Sequence, residues 1–275
     1  METGAPAAGP RPRGEDGRVS RVSETFLKRH DRPGPRDAEA AGLAWLAAAD
    51  AVAVCPVLAV RDDGLVLQRV EEVRPGAEAA EEFGRSLART HAAGADRFGA
   101  PPPGLEGDGW IAALPLPMTT SEPPSWGSFY AEQRLRPYLR AARDAGALSA
   151  ADAGVLETVC ERLVAGDLPG EPAAPARLHG DLWSGNVLWS REGAVLIDPA
   201  AHGGHPETDL AMLALFGLPH LDRVLAAYTE AAATPPGWRR RVPLHQLHPL
   251  LVHTVLFGGG YGGQAVRAAR ETLAL

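Results

Sequence analysis

One run of the chain limits what it can fold into more than any other: His179-Gly-Asp-Leu-Trp-Ser-Gly-Asn186, read together with Asp198. Val187-Leu188-Trp189 follows the run. A turn at Arg191-Glu192-Gly193 and a second apolar stretch, Ala194 to Ile197, then lead to Asp198. Apolar stretches joined by polar turns predict a strand, a loop and a hairpin. The pattern puts Asp181 and Asn186 on one loop and Asp198 at a strand end, so three oxygen-bearing side chains can face one point. Phosphoryl transfer to an alcohol needs such a set. One carboxylate accepts the proton of the attacking hydroxyl, while a second carboxylate and an amide oxygen hold a divalent cation on the phosphates.

A scarcity points the same way. Of 27 basic residues, Lys28 is the sole lysine. In so arginine-rich a chain, a lysine kept at the end of the strand-like run Thr25-Phe26-Leu27-Lys28 fits a compact ammonium aimed at phosphates, a task for which the guanidinium fork is a poor substitute. The spacing from Asp181 to Asn186 also equals that in the His-Arg-Asp-x-x-x-x-Asn loop of protein kinases.

Composition narrows the alternatives. With 275 residues, the chain can bury a sizeable core in one large domain or two lobes. A net charge of −7 argues against a nucleic-acid partner or an anionic membrane surface. No apolar run is long enough to span a bilayer, and the N-terminus shows no signal-peptide core. Two isolated cysteines, Cys55 and Cys160, fit small buried hydrophobes in a reducing cytoplasm.

Along the chain, residues 1–17 read as a loose tail and 18–28 as a short hairpin. Residues 31–37 read as a proline-bearing loop, and 38–46 as a helix carrying Glu39 one turn before Leu43. Ala53 to Val60 reads as one strand, and 65–68 as another. The span 18–72 therefore predicts a small nucleotide-binding lobe, and 73–275 a larger, mostly helical one with the catalytic loop and acceptor site. In the larger lobe, 77–93 forms a helix with Phe83, Leu87 and His91 on one face. The proline-rich stretch 101–124 reads as a long loop. Residues 128–145 read as a helix kinked at Pro137, and Ser149 with Asp152 caps the next one.

These residues resemble the fructosamine/ketosamine-3-kinases, relatives of the aminoglycoside phosphotransferases. The resemblance runs from about Phe26 to the C-terminus. It rests on the 179–186 run, on Ile197-Asp198-Pro199-Ala200, on Gly204-His205-Pro206-Glu207-Thr-Asp209, and on Phe129-Tyr130-Ala-Glu-Gln-Arg134-Leu135. Trp183 in the loop, and Pro-Ala after Asp198, mark the ketosamine branch. The resemblance implies an α+β, bilobal protein-kinase-like fold with a β-rich N-lobe and a helical C-lobe. It implies ATP-dependent phosphorylation of the sugar 3-hydroxyl of ketosamines, with Mg2+, leading to deglycation. The acceptor is then a small-molecule ketoamine, with glycated protein side chains as a further class.

By the same resemblance Asp181 is the base, and Asn186 and Asp198 are the magnesium ligands. Lys28 contacts phosphate with Glu39 as its ion partner, and Gln68, Val70 and Glu71 belong to the adenine-binding hinge. Trp183 meets the substrate, His179 supports the loop, and Asp209 braces it. The family's glycine-rich phosphate loop falls on Arg13-Gly14-Glu15-Asp16-Gly17-Arg18, where two carboxylates replace neutral residues. Alternatives are an aminoglycoside or amino-alcohol kinase, which calls for an acidic cluster near Asp181, and a nucleotide-binding pseudokinase. The pairs His202/His205 and His245/His248 lack further partners at zinc spacing.

Overall fold

The computed structural model describes residues 24–123, 125–258 and 260–275. The tail, the start of the expected hairpin and the expected phosphate loop at 13–18 lie outside the described residues. Strand β1 (Thr25–Arg29) carries Lys28, and helix α1 (Pro33–Ala47) follows. The helix begins earlier than the sequence pattern predicts, because Pro33 and Pro35 lie within its first turn. Their missing N–H groups cost little there, since first-turn donors have no intrahelical acceptor. The helix turns Glu39, Leu43 and Leu46 inward.

Pro56 divides the single strand expected over 53–60 into β2 (Ala53–Val54) and β3 (Val57–Arg61). Proline donates no hydrogen bond and interrupts a ladder. The two halves join different sheets. β3 pairs antiparallel with β4 (Gly64–Gln68), which pairs with β1, giving the order β1-β4-β3. β2 leaves this sheet for one in the larger lobe.

That lobe opens with α2 (Ala77–Ala92), whose buried stripe carries Phe83, Leu87 and His91. The stretch expected as a long loop contains a hairpin, β5 (Gly109–Ile111) and β6 (Leu114–Leu116). Its turn uses Ala112 at φ +49°. No Asn-Gly or Asp-Gly announces the turn, so pattern reading passes over it. The helix expected over 128–145 is three pieces: α3 (Trp126–Phe129), a π-helical turn (Tyr130–Leu135) and α4 (Arg136–Asp144). Pro137 has no N–H for the Gln133 carbonyl, which accepts from Arg134 Nη1 at 3.0 Å instead. Ser149 caps α5 (Ala150–Ala165) by accepting the Asp152 N–H at 3.1 Å.

Strand β7 (Ala176–Leu178) enters the 179–186 loop, and the hairpin β8 (Val187–Ser190) and β9 (Gly193–Leu196) leaves it. β2 adds to β9 in parallel, pairing Val54 with Leu196. β10 (His202–Gly204) pairs antiparallel with β7. Helices α6 (Pro206–Phe216), α7 (Leu221–Ala231), α8 (Val242–Phe257) and α9 (Gly260–Leu273) complete the chain. Pro249 frees the His245 carbonyl inside α8, and the Tyr130 hydroxyl donates to it at 3.2 Å.

One core, including Trp126, Tyr130, Leu156 and Leu247, fills the larger lobe. A second, including Phe83, Leu182, Trp189 and Tyr228, lies under the 179–186 loop. A third spans the lobes, with Leu43, Cys55, Leu65 and Leu67 against Val195 and Ile197. Both cysteines are free and buried. No helix of the described residues is long and apolar enough to cross a membrane.

Helices α2 and α7 meet at Gly84, where a Cβ would collide with the Val224 carbonyl. Gly84→Ala gains about 1 kcal/mol of helix propensity, but overpacking a backbone contact costs about 1–3 kcal/mol. We expect a net loss of about 1 kcal/mol in urea denaturation. Equal or greater stability would show that the two helices separate freely.

Candidate active site

The 179–186 loop is held from beneath by one carboxylate. Gly180 has φ +82°, and a Cβ there would collide with the Ala200 carbonyl, so this position takes glycine. The turn aims two successive N–H groups at Asp209 on the first turn of α6. His179 N–H donates to Oδ2 at 2.8 Å and Gly180 N–H to Oδ1 at 3.0 Å. His91 Nε2 reaches Oδ2 from α2 at 3.1 Å, and its Nδ1 meets the Tyr228 hydroxyl at 2.8 Å. Burial works against the Asp209 charge, and His91 and the loop amides more than offset it, so its pKa lies below the ordinary value.

His179 sits inside this frame. Its Nε2–H donates to the Ile197 carbonyl at 2.8 Å, and Nδ1 accepts the Asp181 N–H at 3.3 Å. Burial lowers its pKa, so the ring is neutral with both nitrogens engaged. It ties the loop to the strand before Asp198 and has no free nitrogen for base chemistry.

The chemistry-bearing groups converge above. Burial lifts the Asp181 carboxyl to about 6, against a hydrogen bond from Asn186. Asn186 Nδ2 donates to the Asp181 carbonyl at 2.8 Å and to Asp181 Oδ2 at 3.1 Å. These bonds fix which end of the amide faces Asp181, and Oδ1 has no partner among the described residues. Asp198 lies in the left-handed region at φ +53°, a conformation Asp tolerates better than most residues. Its Oδ1 is 2.7 Å from Lys28 Nζ, and the same ammonium is 2.7 Å from Glu39 Oε2. Burial pulls the Lys28 pKa down, but Glu39 and Asp198 overcome it, so it ends above the ordinary value. Burial raises the Glu39 carboxyl, to about 7, with the Lys28 ammonium opposing. Asn186 and Asp198 together offer hard oxygen donors, a set that fits a divalent cation.

The expected hinge residues connect the lobes. Gln68 N–H donates to the Pro56 carbonyl at 3.1 Å, and the Gln68 carbonyl accepts from Cys55 Sγ at 3.3 Å. Val70 packs on the core shared by the lobes. Its N–H and carbonyl make no main-chain hydrogen bond among the described residues. Glu71 is exposed, with its carboxylate 3.9 Å from Arg191. Val73 N–H then anchors the connection on the Trp189 carbonyl at 2.7 Å.

Residues 21–275 match the family described as Fructosamine kinase. The chain belongs to the fructosamine kinase family. A Thermus thermophilus protein named probable ketoamine kinase is 37% identical over 93% of this chain and 90% of its own. A solved structure from Thermobifida fusca, described as a "putative fructosamine-3-kinase", is 50% identical, with a TM-score of 0.83 over 91% of this chain and 86% of its own. An ADP-bound aminoglycoside phosphotransferase shares the fold at 13% identity, with a TM-score of 0.58 over 90% of this chain and 88% of its own. The fold is bilobal, α+β and protein-kinase-like, and the protein is a small-molecule phosphotransferase.

Three features of this fructosamine kinase family member escape sequence reasoning. The first is the bracing of Asp209 by His91 and Tyr228. Only a histidine on the apolar stripe of α2 hinted at it. The second is an aromatic array beside Trp183, which is 39% exposed. The Trp183 indole lies across Gly185, where a Cβ would collide with it, and meets Phe216 edge-on at 6.1 Å. The third is a cluster of His205, Glu207 and His245, whose ligand-type atoms lie within 4.8 Å of one another. Arg241 ion-pairs with Glu207 there, and His205 is engaged by the Gly170 carbonyl and the Glu207 N–H. The guanidinium takes the place a cation would need. A cavity of about 1060 Å³ between α2, α7 and residues 170–176 is lined by none of Lys28, Asp181, Asn186 or Asp198.

Asp209→Asn removes the charge that accepts two loop amides, and presents an NH2 to at least one donor. We expect a loss of roughly 1.5–3 kcal/mol in stability, with a fall in kcat larger than any rise in KM. A variant as stable and active as the parent would show that the loop holds its shape without the brace.

Proposed function

We propose that the protein transfers the γ-phosphoryl group of ATP to the sugar 3-hydroxyl of ketosamines, such as ribulosamine or fructosamine adducts, and so initiates deglycation. The convergence of Asp181, Asn186, Asp198 and Lys28 on one point carries this reading. Asp181 accepts the proton of the attacking hydroxyl, and the amide of Asn186 keeps its carboxylate aimed. Lys28 meets the phosphates from β1, held by Glu39, and the main chain near Gln68, Val70 and Glu71 receives the adenine. Residues 18–72 then act as the nucleotide lobe and 73–275 as the acceptor lobe. Asn186 and Asp198 would hold a Mg2+ ion, which would neutralise phosphate charge. The protein's own contribution is positioning and fixed charge, with little covalent chemistry.

The acceptor side supports a ketoamine over a polycationic aminoglycoside. From 242 to 275 the sole acidic side chain is Glu271, whereas a polycation calls for several carboxylates. Trp183, beside the base, offers a flat face to the sugar. Glycated protein side chains are a further class of acceptor. Two buried free cysteines and the use of ATP support a cytoplasmic site of action.

Asp181→Asn removes the proton acceptor with little change in volume. We expect kcat to fall by about 10²–10⁴-fold while calorimetry still detects nucleotide binding. Retention of a tenth of the parent's turnover would exclude Asp181 as the base. In the parent, the base must be ionised, and its carboxyl is raised to about 6. The ratio kcat/KM should therefore be level above that pH and fall as pH drops through it. A profile level down to pH 4.5 would contradict this role.

The product distinguishes the acceptors. A phosphate on the 3-hydroxyl of a ketoamine sits on C3, next to the C2 carbonyl. Loss of a proton from C1, the carbon that bears the amine, gives an enaminol whose electrons expel inorganic phosphate from C3, and water then releases the free amine from the resulting dicarbonyl adduct. With a ribulosamine, ATP and magnesium, phosphorus NMR should show a phosphoester that decays at a rate independent of enzyme concentration. A phosphoester stable on every active substrate would leave the kinase activity standing and sink the deglycation reading.

A further inference from the structure

Beyond Trp183 the aromatic array continues through residues that the transfer chemistry does not use. Phe216 at the end of α6 lies 4.9 Å from the His253 ring on α8. His253 lies 5.5 Å from Phe257 and 5.0 Å from Tyr261, and the last two rings are 6.3 Å apart. Phe257 is 66% exposed, so one face of its ring is open to a ligand. The array closes at a glycine corner. Gly258 ends α8 at φ +62° and ψ −136°, a conformation essentially confined to glycine. The corner sets Phe257, the last residue of α8, beside Tyr261 in the first turn of α9.

The polar character of the array is also defined. His253 Nδ1 is 2.8 Å from the Pro249 carbonyl, which can only accept, so Nδ1 carries the proton. With the proton on Nδ1, Nε2 is the ring's acceptor nitrogen, and it has no partner among the described residues. An acceptor nitrogen among π faces suits an ammonium that carries an apolar group.

We propose that His253, Phe257 and Tyr261 form the subsite for the amine portion of the acceptor, and that the enzyme favours ketoamines whose nitrogen bears an aromatic or long apolar substituent. This rests on the ketosamine reading. With the 3-hydroxyl at Asp181, the sugar passes Trp183. The amine, two carbons from the phosphorylated one, then points along the array. The protonated nitrogen meets His253 Nε2 and the ring faces, and its substituent covers Phe257 and Tyr261. The open side of Phe257 leaves room for a long substituent.

The test is steady-state kinetics of the full chain with two ribulosamines, one of methylamine and one of benzylamine. The parent should show the higher kcat/KM with the benzylamine adduct, through a lower KM. Phe257→Ala should shrink the ratio of the two kcat/KM values by roughly fivefold, the worth of one aromatic contact, and Phe257→Tyr should restore it. Phe257 is exposed, so thermal unfolding should register little change in either variant. A ratio unaltered in Phe257→Ala would overturn the inference and leave the proposed reaction intact. So would a drop in light-scattering mass with the ratio unchanged, which would assign the patch to a contact between copies of the chain. Failure of the parent to phosphorylate either adduct would overturn the reaction and the subsite together.

Discussion

The buried carboxylate of Asp209 is the interaction on which the rest of the site depends. It takes two consecutive N–H groups from the catalytic loop and a third hydrogen bond from His91. A loop made of glycine, aspartate and asparagine has little propensity to hold one shape, and an ionised acceptor beneath it supplies the constraint. Gly180 makes the arrangement possible, because it alone can point both amides downward without striking the Ala200 carbonyl. His91 and Tyr228 come from α2 and α7. The closeness of those helices at Gly84 is thus part of the same device.

The second constraint is how the two lobes are held in register. Pro56 sends Ala53–Val54 into the sheet of the larger lobe and Val57–Arg61 into that of the smaller. Lys28 reaches across between Glu39 and Asp198, an ion-pair chain with one end in each lobe. An apolar core of Leu43, Leu65, Leu67, Val195 and Ile197 lies beside it. Burial works against the Lys28 ammonium, and the carboxylates on either side of it more than offset that cost.

Several buried histidines in the larger lobe are structural, for one common reason. His179, His202 and His205 each hydrogen-bond a main-chain carbonyl, and burial lowers their pKa values, His202 and His205 to about 3. They stay neutral and pin loops around the site. His253, half-buried beside Phe216, differs in that its Nε2 has no partner among the described residues.

Much of the site was legible in the chain before any coordinates. The loop from His179 to Asn186, Asp198, the sole lysine and the stripe of α2 follow from local periodicity and side-chain chemistry. Those are short-range properties that a sequence carries explicitly. Other features were not legible. The division of one strand between two sheets depends on which edges are open, and the hairpin at Ala112 forms without a turn signature. The early start of α1 was hidden by two prolines that sit where a helix tolerates them. The aromatic array assembles from residues 183, 216, 253, 257 and 261, and the brace from 91, 209 and 228. Residues so far apart in the chain meet only through helix packing. Sequence by itself therefore determined the family and which side chains are candidates for the chemistry, because reactivity belongs to the side chain. Only the tertiary structure decided what holds them and which rings gather beside Trp183, because distances between remote segments are set by how the cores close.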